Sequence, residues 1–282
     1  MKKTAISIFC VLVTLLALGT FFDLYIAQIV YNPQSKFGKI FGTVGMLPQI
    51  AVTLMIFPMV LSVIAVHYKT MKLIAAPIIA VIVGGFVFYN MRYVVFAIQD
   101  HVNISVYFAY IIIAIVLILI FFITLPFAKK YPNELLSTAI IGFLTVAVGS
   151  FILQTLKIEF GRQRFFTMTD AAVQFSAWYN PQNKAVSDDF KSFPSGHSFS
   201  AMLAVWFTLF GRFIPALKNL TKFIGMSALL FGFATMASRM FLGKHFLSDV
   251  TIGAFISLFC FFVFYYAIDK NYNKMKTLIF KQ

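Results

Sequence analysis

Three short clusters of ionisable and small residues stand out from a chain that is otherwise strongly apolar. The first runs from Lys157 to Phe165 and carries three cations. The second is Pro194-Ser195-Gly196-His197, and the third begins at Ser238-Arg239 and ends at Asp249. Two histidines, a carboxylate and several cations suit phosphoryl transfer, because that reaction depends mainly on positioning and on stabilising charge.

The third cluster contains a histidine and an aspartate that are four positions apart, His245 and Asp249. On a helix this spacing places both side chains on one face, where the carboxylate can accept the imidazole Nδ1–H and leave Nε2 free to attack. A purely structural hydrogen-bonded pair is the alternative. Because ionisable groups within apolar spans are usually functional, we favour the nucleophile.

Cations from two clusters are expected to surround that imidazole and bind a phosphate group: Lys157, Arg162, Arg164 and Arg239. Lys157 and Arg164 are separated by two helical turns, so both can point the same way if the helix continues beyond the membrane. Arg162 is a candidate phosphate ligand that could instead only support the loop. Basic residues beside a span can also be anchors that extend to the interface.

The second cluster predicts a helix N-terminus with little side-chain bulk. Ser195 and the Gly196 N–H group can then bind an anion, since the first N–H groups of a helix lack partners within it. His197 follows directly and can donate a proton to a leaving oxygen. Read without its neighbours, the Pro-Ser-Gly turn would only mark the start of a helix.

Together the clusters resemble the signature of the type 2 phosphatidic acid phosphatase family of membrane lipid phosphatases. In that pattern a Lys is followed after six residues by Arg-Pro, then by Pro-Ser-Gly-His, then by Ser-Arg with a His and an Asp at the spacing seen here. The one departure is Phe165, where the family usually has Pro. The resemblance covers roughly residues 136–268.

The resemblance implies a role for each matched residue. His245 would form a phosphohistidine, Asp249 would orient it, and His197 would protonate the leaving group. Lys157, Arg164 and Arg239 would bind the phosphate oxygens, assisted by Ser195 and Gly196. We expect no metal and no cofactor, because the clusters hold too few carboxylates for a two-metal site.

The composition predicts the class of protein that carries these clusters. Of 282 residues 61% are hydrophobic and 11% charged, which excludes a soluble globule and a disordered chain. We predict an all-α, polytopic transmembrane helix bundle of about eight spans with a six-helix-type phosphatase core. The spans are centred on residues 4–24, 44–66, 73–91, 104–127, 136–156, 197–216, 223–240 and 247–268.

Three regions are predicted along the chain. Residues 1–130 hold four N-terminal spans, 131–270 form the phosphatase core with a long loop at 157–193, and 271–282 form a basic cytoplasmic tail. The first span also has features of a cleaved signal peptide. Asp100-His101 has no partner in sequence and is expected to be a surface or packing element, while His67 is expected to be an interfacial cap.

The distribution of cations predicts the orientation. Thirteen of the 23 Lys and Arg residues lie on the side of the two termini, so the termini are expected in the cytoplasm and the clusters outside the plasma membrane. The expected partners are the bilayer and a membrane lipid phosphate. No nucleic acid and no obligate protein partner is inferred, because the cations are dispersed among short connections.

These observations predict a metal-independent lipid phosphatase. Candidate substrates are undecaprenyl pyrophosphate, phosphatidylglycerol phosphate, phosphatidic acid and lipid A phosphate. A lipid phosphotransferase with the same site is one alternative, and a catalytically inactive lipid transporter or binding protein is another. A vanadate-dependent haloperoxidase shares the motifs, but a site embedded in a bilayer argues against it.

Overall fold

The computed structural model describes residues 2–67, 81, 84–85, 105–182 and 184–279. Within these ranges the chain forms helices and turns and no β-strand. The helices are α1 (Lys2–Val30), α2 (Lys36–Val44), α3 (Leu47–His67), α4 (Val106–Lys130), α5 (Pro132–Phe160), α6 (Ala171–Gln174), α7 (Gly196–Met202), α8 (Pro215–Lys218), α9 (Thr221–Phe241) and α10 (Leu247–Ile279). The predicted all-α class is therefore confirmed.

Several helices begin where the sequence supplies a capping group. The Ser35 hydroxyl accepts the Gly38 N–H at the start of α2, and the Ser105 hydroxyl accepts the Phe108 N–H at the start of α4. Pro132 opens α5, a position at which the missing N–H costs nothing. Each cap satisfies a donor that the first helical turn would otherwise leave unpaired, or removes the need for one.

Six helical segments in the described ranges are long and apolar enough to cross a membrane. They are Thr4–Val30, Lys36–His67, Val106–Lys130, Pro132–Thr167, Thr221–Phe241 and Leu247–Asp269. The chain is thus a polytopic membrane protein. Large apolar side chains point outward on these segments, as with Phe21 (79% exposed) and Phe122 (62% exposed), which suits a hydrocarbon surrounding.

Two of the eight predicted spans need separate description. Of the span predicted at 73–91 only residues 81 and 84–85 are described, and Asp100 and His101 lie outside the described residues. The span predicted at 197–216 is the seven-residue α7 followed directly by a 3₁₀ helix over Leu203–Arg212. This segment is therefore not one continuous α-helix.

The described chain divides into two compact units. The first comprises Met1–Pro48, Thr145–Val205 and Phe223–Val263. All the residues singled out for chemistry belong to this unit. Its helices pack through aromatic contacts such as Phe9 with Phe255, whose ring centroids are 5.2 Å apart.

The second unit comprises Gln49–Leu144, Trp206–Lys222 and Phe264–Gln282. Its buried Trp206 donates its indole N–H to the Thr138 carbonyl at 2.9 Å. His67, expected to be an interfacial cap, bonds through Nε2 to the carbonyl of Ala128 at 2.8 Å and so links α3 to α4. The boundaries predicted at residues 130 and 270 stay a prediction.

Candidate active site

His245 lies in the turn between α9 and α10 and is 3% exposed. Its Nδ1 lies 2.6 Å from the backbone carbonyl oxygen of Ser192. A carbonyl can only accept, so Nδ1 carries the ring proton and Nε2 presents its lone pair. The imidazole therefore has the tautomer that a nucleophilic Nε2 needs.

The predicted direct hydrogen bond between Asp249 and the imidazole is wrong. Nδ1 of His245 and Oδ2 of Asp249 are 3.9 Å apart, beyond hydrogen-bond distance. The prediction assumed one helical face, but α10 begins at Leu247, so His245 precedes the helix. The imidazole is oriented by a backbone carbonyl instead.

Asp249 is nevertheless connected to His245 through Ser192. Its Oδ2 accepts the Ser192 hydroxyl at 2.6 Å and the Phe246 N–H at 2.8 Å. The second contact is the backward half of a capping box, which holds the start of α10 in place. Ser192 thus donates its hydroxyl to Asp249 and accepts the His245 proton on its carbonyl.

The prediction of Arg162 as a phosphate ligand is also corrected. This residue is 2% exposed, and its guanidinium donates only to protein groups. Nε bonds the Ser176 carbonyl, one terminal nitrogen bonds Asp249 and Ser248, and the other bonds Asp23 at 3.0 Å. Every nitrogen is engaged, which leaves Arg162 as a buried structural cation.

Lys157 and Arg164 do not share a helix, contrary to the reasoning from their spacing. Helix α5 ends at Phe160, and Gly161 has φ 54°. Such a left-handed residue is a common way to end a helix, and glycine adopts it without steric cost. Arg164 is therefore carried by the loop after α5, where its N–H bonds the Asp189 carbonyl at 2.8 Å.

Three cations remain available for an anionic substrate: Lys157, Arg164 and Arg239. Lys157 is 9% exposed and donates to the Lys191 carbonyl at 2.9 Å. The Nε groups of Arg164 and Arg239 are buried, and neither has a hydrogen-bond partner in the described part of the chain. Since buried donors are nearly always paired, these two guanidinium groups are suited to binding anionic oxygens.

Burial lowers the pKa of the His245 imidazole well below its ordinary value. Neighbouring charges lower the pKa further, in decreasing order those of Lys157, Arg239, Arg164 and His197. Three of the cations expected around the imidazole are therefore near enough to influence its charge, and their contacts with a phosphate stay a prediction. A lowered pKa favours the neutral imidazole, which is the form that attack by Nε2 requires.

His197 occupies the second position of α7. Burial, followed by the charges of Arg239, Lys157 and Arg164, lowers the pKa of its ring well below the ordinary value, and the backbone of Gly42 acts in the opposite direction. Gly42 belongs to α2, an element that the sequence patterns did not connect with the site. A Cβ atom on Gly42 would lie only 2.8 Å from a terminal nitrogen of Arg239. Helix α2 thus lies against two of the residues predicted to handle the phosphate.

Ser195 is the N-cap residue of α7. Its Oγ accepts the Ser198 N–H at 3.3 Å and the Ser198 hydroxyl at 3.0 Å, and its own N–H donates to the Asp249 carbonyl at 2.9 Å. Gly196 lies beside Lys157, whose Cε would be 3.9 Å from a Cβ at this position. The turn is therefore next to the cations, and direct phosphate contacts by Ser195 and Gly196 stay a prediction.

Sequence reasoning missed three residues of this site: Asp23, Ser192 and Ser248. Asp23 is 3% exposed and pairs with Arg162, and a lone acid at the end of an apolar run is a usable signal of such a role. Ser192 acts on His245 through its backbone carbonyl, which any residue possesses. Ser248 has only its position next to Asp249 to mark it.

Comparison with known proteins agrees with the motifs. Residues 135–273 match the PAP2 superfamily, a region that includes all three clusters. No curated protein and no solved structure matches the chain. Since the described residues form apolar helices long enough to span a membrane and all three clusters lie within the matched region, the chain belongs, through residues 135–273, to the type 2 phosphatidic acid phosphatase (PAP2) superfamily.

Proposed function

We propose that the protein hydrolyses the phosphate monoester or pyrophosphate of a membrane lipid through a phosphohistidine on His245. One observation carries the proposal: the buried imidazole of His245 holds its proton on Nδ1, and burial followed by the charges of Lys157, Arg239 and Arg164 lowers its pKa. The apolar helices and the family support a membrane phosphatase in general. The lipid substrate and the covalent intermediate are the parts proposed.

The reaction would run in two displacements. Nε2 of His245 attacks phosphorus and the bond to the leaving oxygen breaks. His197 takes up a proton when the anionic phosphate is bound beside it, and donates that proton to the leaving oxygen. Water then attacks the phosphohistidine while His197 takes a proton from it, and inorganic phosphate leaves. Charge on the equatorial phosphate oxygens is stabilised by the guanidinium groups of Arg164 and Arg239 and by the Lys157 ammonium.

A lipid is the favoured substrate because the site belongs to a unit built from membrane-length apolar helices. The phosphate can bind the cations while the acyl or prenyl chains remain in the bilayer. The excess of cations near the termini favours a site on the outer face of the plasma membrane. Undecaprenyl pyrophosphate, phosphatidylglycerol phosphate, phosphatidic acid and lipid A phosphate are the substrates to test.

The test is release of inorganic phosphate from each purified lipid by the full chain in detergent micelles. His245→Ala should abolish release, while His67→Gln, a histidine of the other unit, is the matched control. Absence of release from every lipid, or wild-type rates in His245→Ala, would overturn the proposal. Transfer of phosphate to an added second lipid, with none released to water, would establish a phosphotransferase instead.

Independence from metal stays a prediction with a direct measurement. Activity should survive EDTA and should be inhibited by vanadate, which adopts the five-coordinate geometry of the transition state. Loss of activity in EDTA that a divalent ion restores would show that the cations do not act alone.

A further inference from the structure

Helix α1 contributes a carboxylate to a buried ionic network behind the candidate nucleophile. Asp23 lies 3.0 Å from a terminal nitrogen of Arg162, whose other terminal nitrogen lies 2.6 Å from Asp249. These three side chains are at most 3% exposed. One cation is therefore shared between two carboxylates in a place where water cannot screen them.

Asp23 also holds the first turn of α10. Its Oδ1 accepts the Ser248 N–H at 2.9 Å, and its Oδ2 accepts the Ser248 hydroxyl as well as the Arg162 guanidinium. Both carboxylate oxygens thus act only as acceptors. An amide at this position would present N–H groups to one of these donors, so the interaction depends on the charge and not only on shape.

The contact between α1 and α10 is close. A Cβ atom on Gly19 would lie 2.8 Å from the Ser248 backbone nitrogen, so only glycine allows this approach. One residue later the Thr20 hydroxyl accepts the Trp178 indole N–H at 2.9 Å. The close approach at Gly19 sets the position of Asp23 beside the first turn of α10, while the Thr20 contact is made separately with the loop that carries Trp178.

A path of hydrogen bonds that passes through the residue Ser192 leads from this network to the candidate nucleophile. Arg162 joins Asp23 to Asp249, Asp249 accepts the Ser192 hydroxyl, and the Ser192 carbonyl accepts the His245 Nδ1–H. A shift of Arg162 or Asp249 would move Ser192 and release the imidazole from its tautomer.

From this path we infer that Asp23 is a positioning residue for His245. Asp23 then supports the candidate nucleophile from helix α1, which lies outside the residues 135–273 that match the family. Asp23 acts through Arg162 and Asp249 and does not contact the reacting atoms. The inference rests on the proposed function for its kinetic consequences, but its structural consequence for the imidazole can be measured without turnover.

The main test compares Asp23→Asn with wild type in full-length protein. Because loss of the charge disturbs the supports of His245, we expect kcat on a lipid phosphate to fall about 100-fold with KM changed less than about threefold. Thr20→Val is the matched control, since it breaks the neighbouring contact of α1 with Trp178 and leaves Asp23 in place. The control should keep kcat near the wild-type value.

A double variant tests whether the path is shared. If Asp23 acts through Asp249, then Asp23→Asn combined with Asp249→Asn should lose no more activity than Asp249→Asn alone. Full multiplication of the two losses would overturn the inference. Should Asp23→Asn not fold, Asp23→Glu keeps the charge while moving the carboxylate by one methylene, and its kcat should fall about tenfold.

Histidine ring ¹⁵N spectroscopy separates this inference from the proposed function. Wild-type His245 should carry its proton on Nδ1, and Asp23→Asn should show a mixture of tautomers. An inactive wild type would refute the proposed function, and the ring spectra would still decide the role of Asp23. Unchanged kcat together with an unchanged tautomer in a folded Asp23 variant would overturn the inference.

Discussion

Arg162 and Arg164 are two positions apart, and the structure predicts that replacement by lysine affects different quantities at the two positions. Arg162 donates through all three of its nitrogens to buried protein groups. Arg164 pairs with the exposed carboxylate of Asp188 at 2.7 Å and has a buried Nε with no partner in the described chain. Lysine keeps the charge at either site but lacks the fork of donors.

Arg162→Lys is expected to lower stability and, because Arg162 supports Asp249 and Ser192, to lower kcat as well, with little change in substrate binding. A single ammonium cannot reach Asp23, Asp249 and the Ser176 carbonyl together, so at least one buried acceptor loses its partner. Breaking a buried ion pair costs about 3–5 kcal/mol. For a chain of this size such a loss lowers Tm by roughly 5–15 °C, and we expect KM of the surviving enzyme to change little.

The expected cost of Arg164→Lys is mainly one of catalysis. A charge-assisted hydrogen bond to the transition state contributes about 1.5–3 kcal/mol, so kcat/KM should fall about 10- to 100-fold. Its partner Asp188 is exposed, so Tm should stay near the wild-type value.

Thermal unfolding in detergent and steady-state kinetics on one lipid phosphate measure both effects in the same preparations. Wild-type Tm with a raised KM in Arg162→Lys would refute the structural role of that residue. A large drop in Tm with unchanged kcat/KM in Arg164→Lys would refute its role in binding phosphate.

The remaining predictions concern pH, the turn after Arg164, and orientation. Burial and neighbouring cations lower the pKa of His245. The pKa that this residue contributes to the acid side of the kcat/KM profile should therefore lie below the ordinary histidine value of about 6.5, and Arg239→Gln should raise it. Because the pKa of His245 is lower in the folded chain, its contribution to the free energy of unfolding is complete above about pH 6.5 and is lost as the pH falls. Urea unfolding at several pH values measures this change. Phe165→Pro should preserve the turn, because Arg164 already has the backbone angles φ −78° and ψ 140° that a residue before proline adopts. The substitution should lower Tm, because the ring contacts of Phe165 with Tyr31 and Phe246 are lost. An inactive Phe165→Pro variant with an unchanged Tm would contradict this prediction. A cysteine replacing the exposed Lys184 should react with an aqueous thiol reagent in intact cells, whereas one replacing Lys274 should react only after permeabilisation, and the reverse pattern would put the site on the cytoplasmic face.

The elements that sequence predicted well are those with local signals. A long uncharged run has one stable form in a bilayer, so the helices around residues 4–24 and 247–268 could be located from composition alone. The three clusters could be grouped because each lies at the end of such a run. Their meeting in one compact unit follows from the helices that carry them.

The elements that sequence predicted badly depend on distant or backbone groups. Arg162 and Arg164 look alike in the sequence. Their different environments depend on Gly161, which ends α5, and on Asp23, which lies 139 positions from Arg162 and pairs with it. The partner of His245 is a backbone carbonyl, for which no side-chain type is diagnostic. The spacing of four between His245 and Asp249 suggested a helical pair, although the helix begins between them.

The distance between Asp249 and the imidazole has a consequence for the chemistry. A carboxylate bonded directly to Nδ1 would favour the protonated ring in the free enzyme, and a protonated ring cannot attack. Here the oxygens of Asp249 are occupied by Arg162, Ser192 and Phe246, while burial and, to a smaller extent, the neighbouring cations lower the pKa of the ring. In the proposed reaction, attack on phosphorus places positive charge on the ring, which the Ser192 carbonyl and the carboxylate at 3.9 Å then stabilise together with the transferred phosphoryl oxygens. Because the phosphoryl oxygens are added only at that stage, the proposed arrangement stabilises the charged ring more in the reaction than in the resting state, which is the condition for catalysis and not merely for binding.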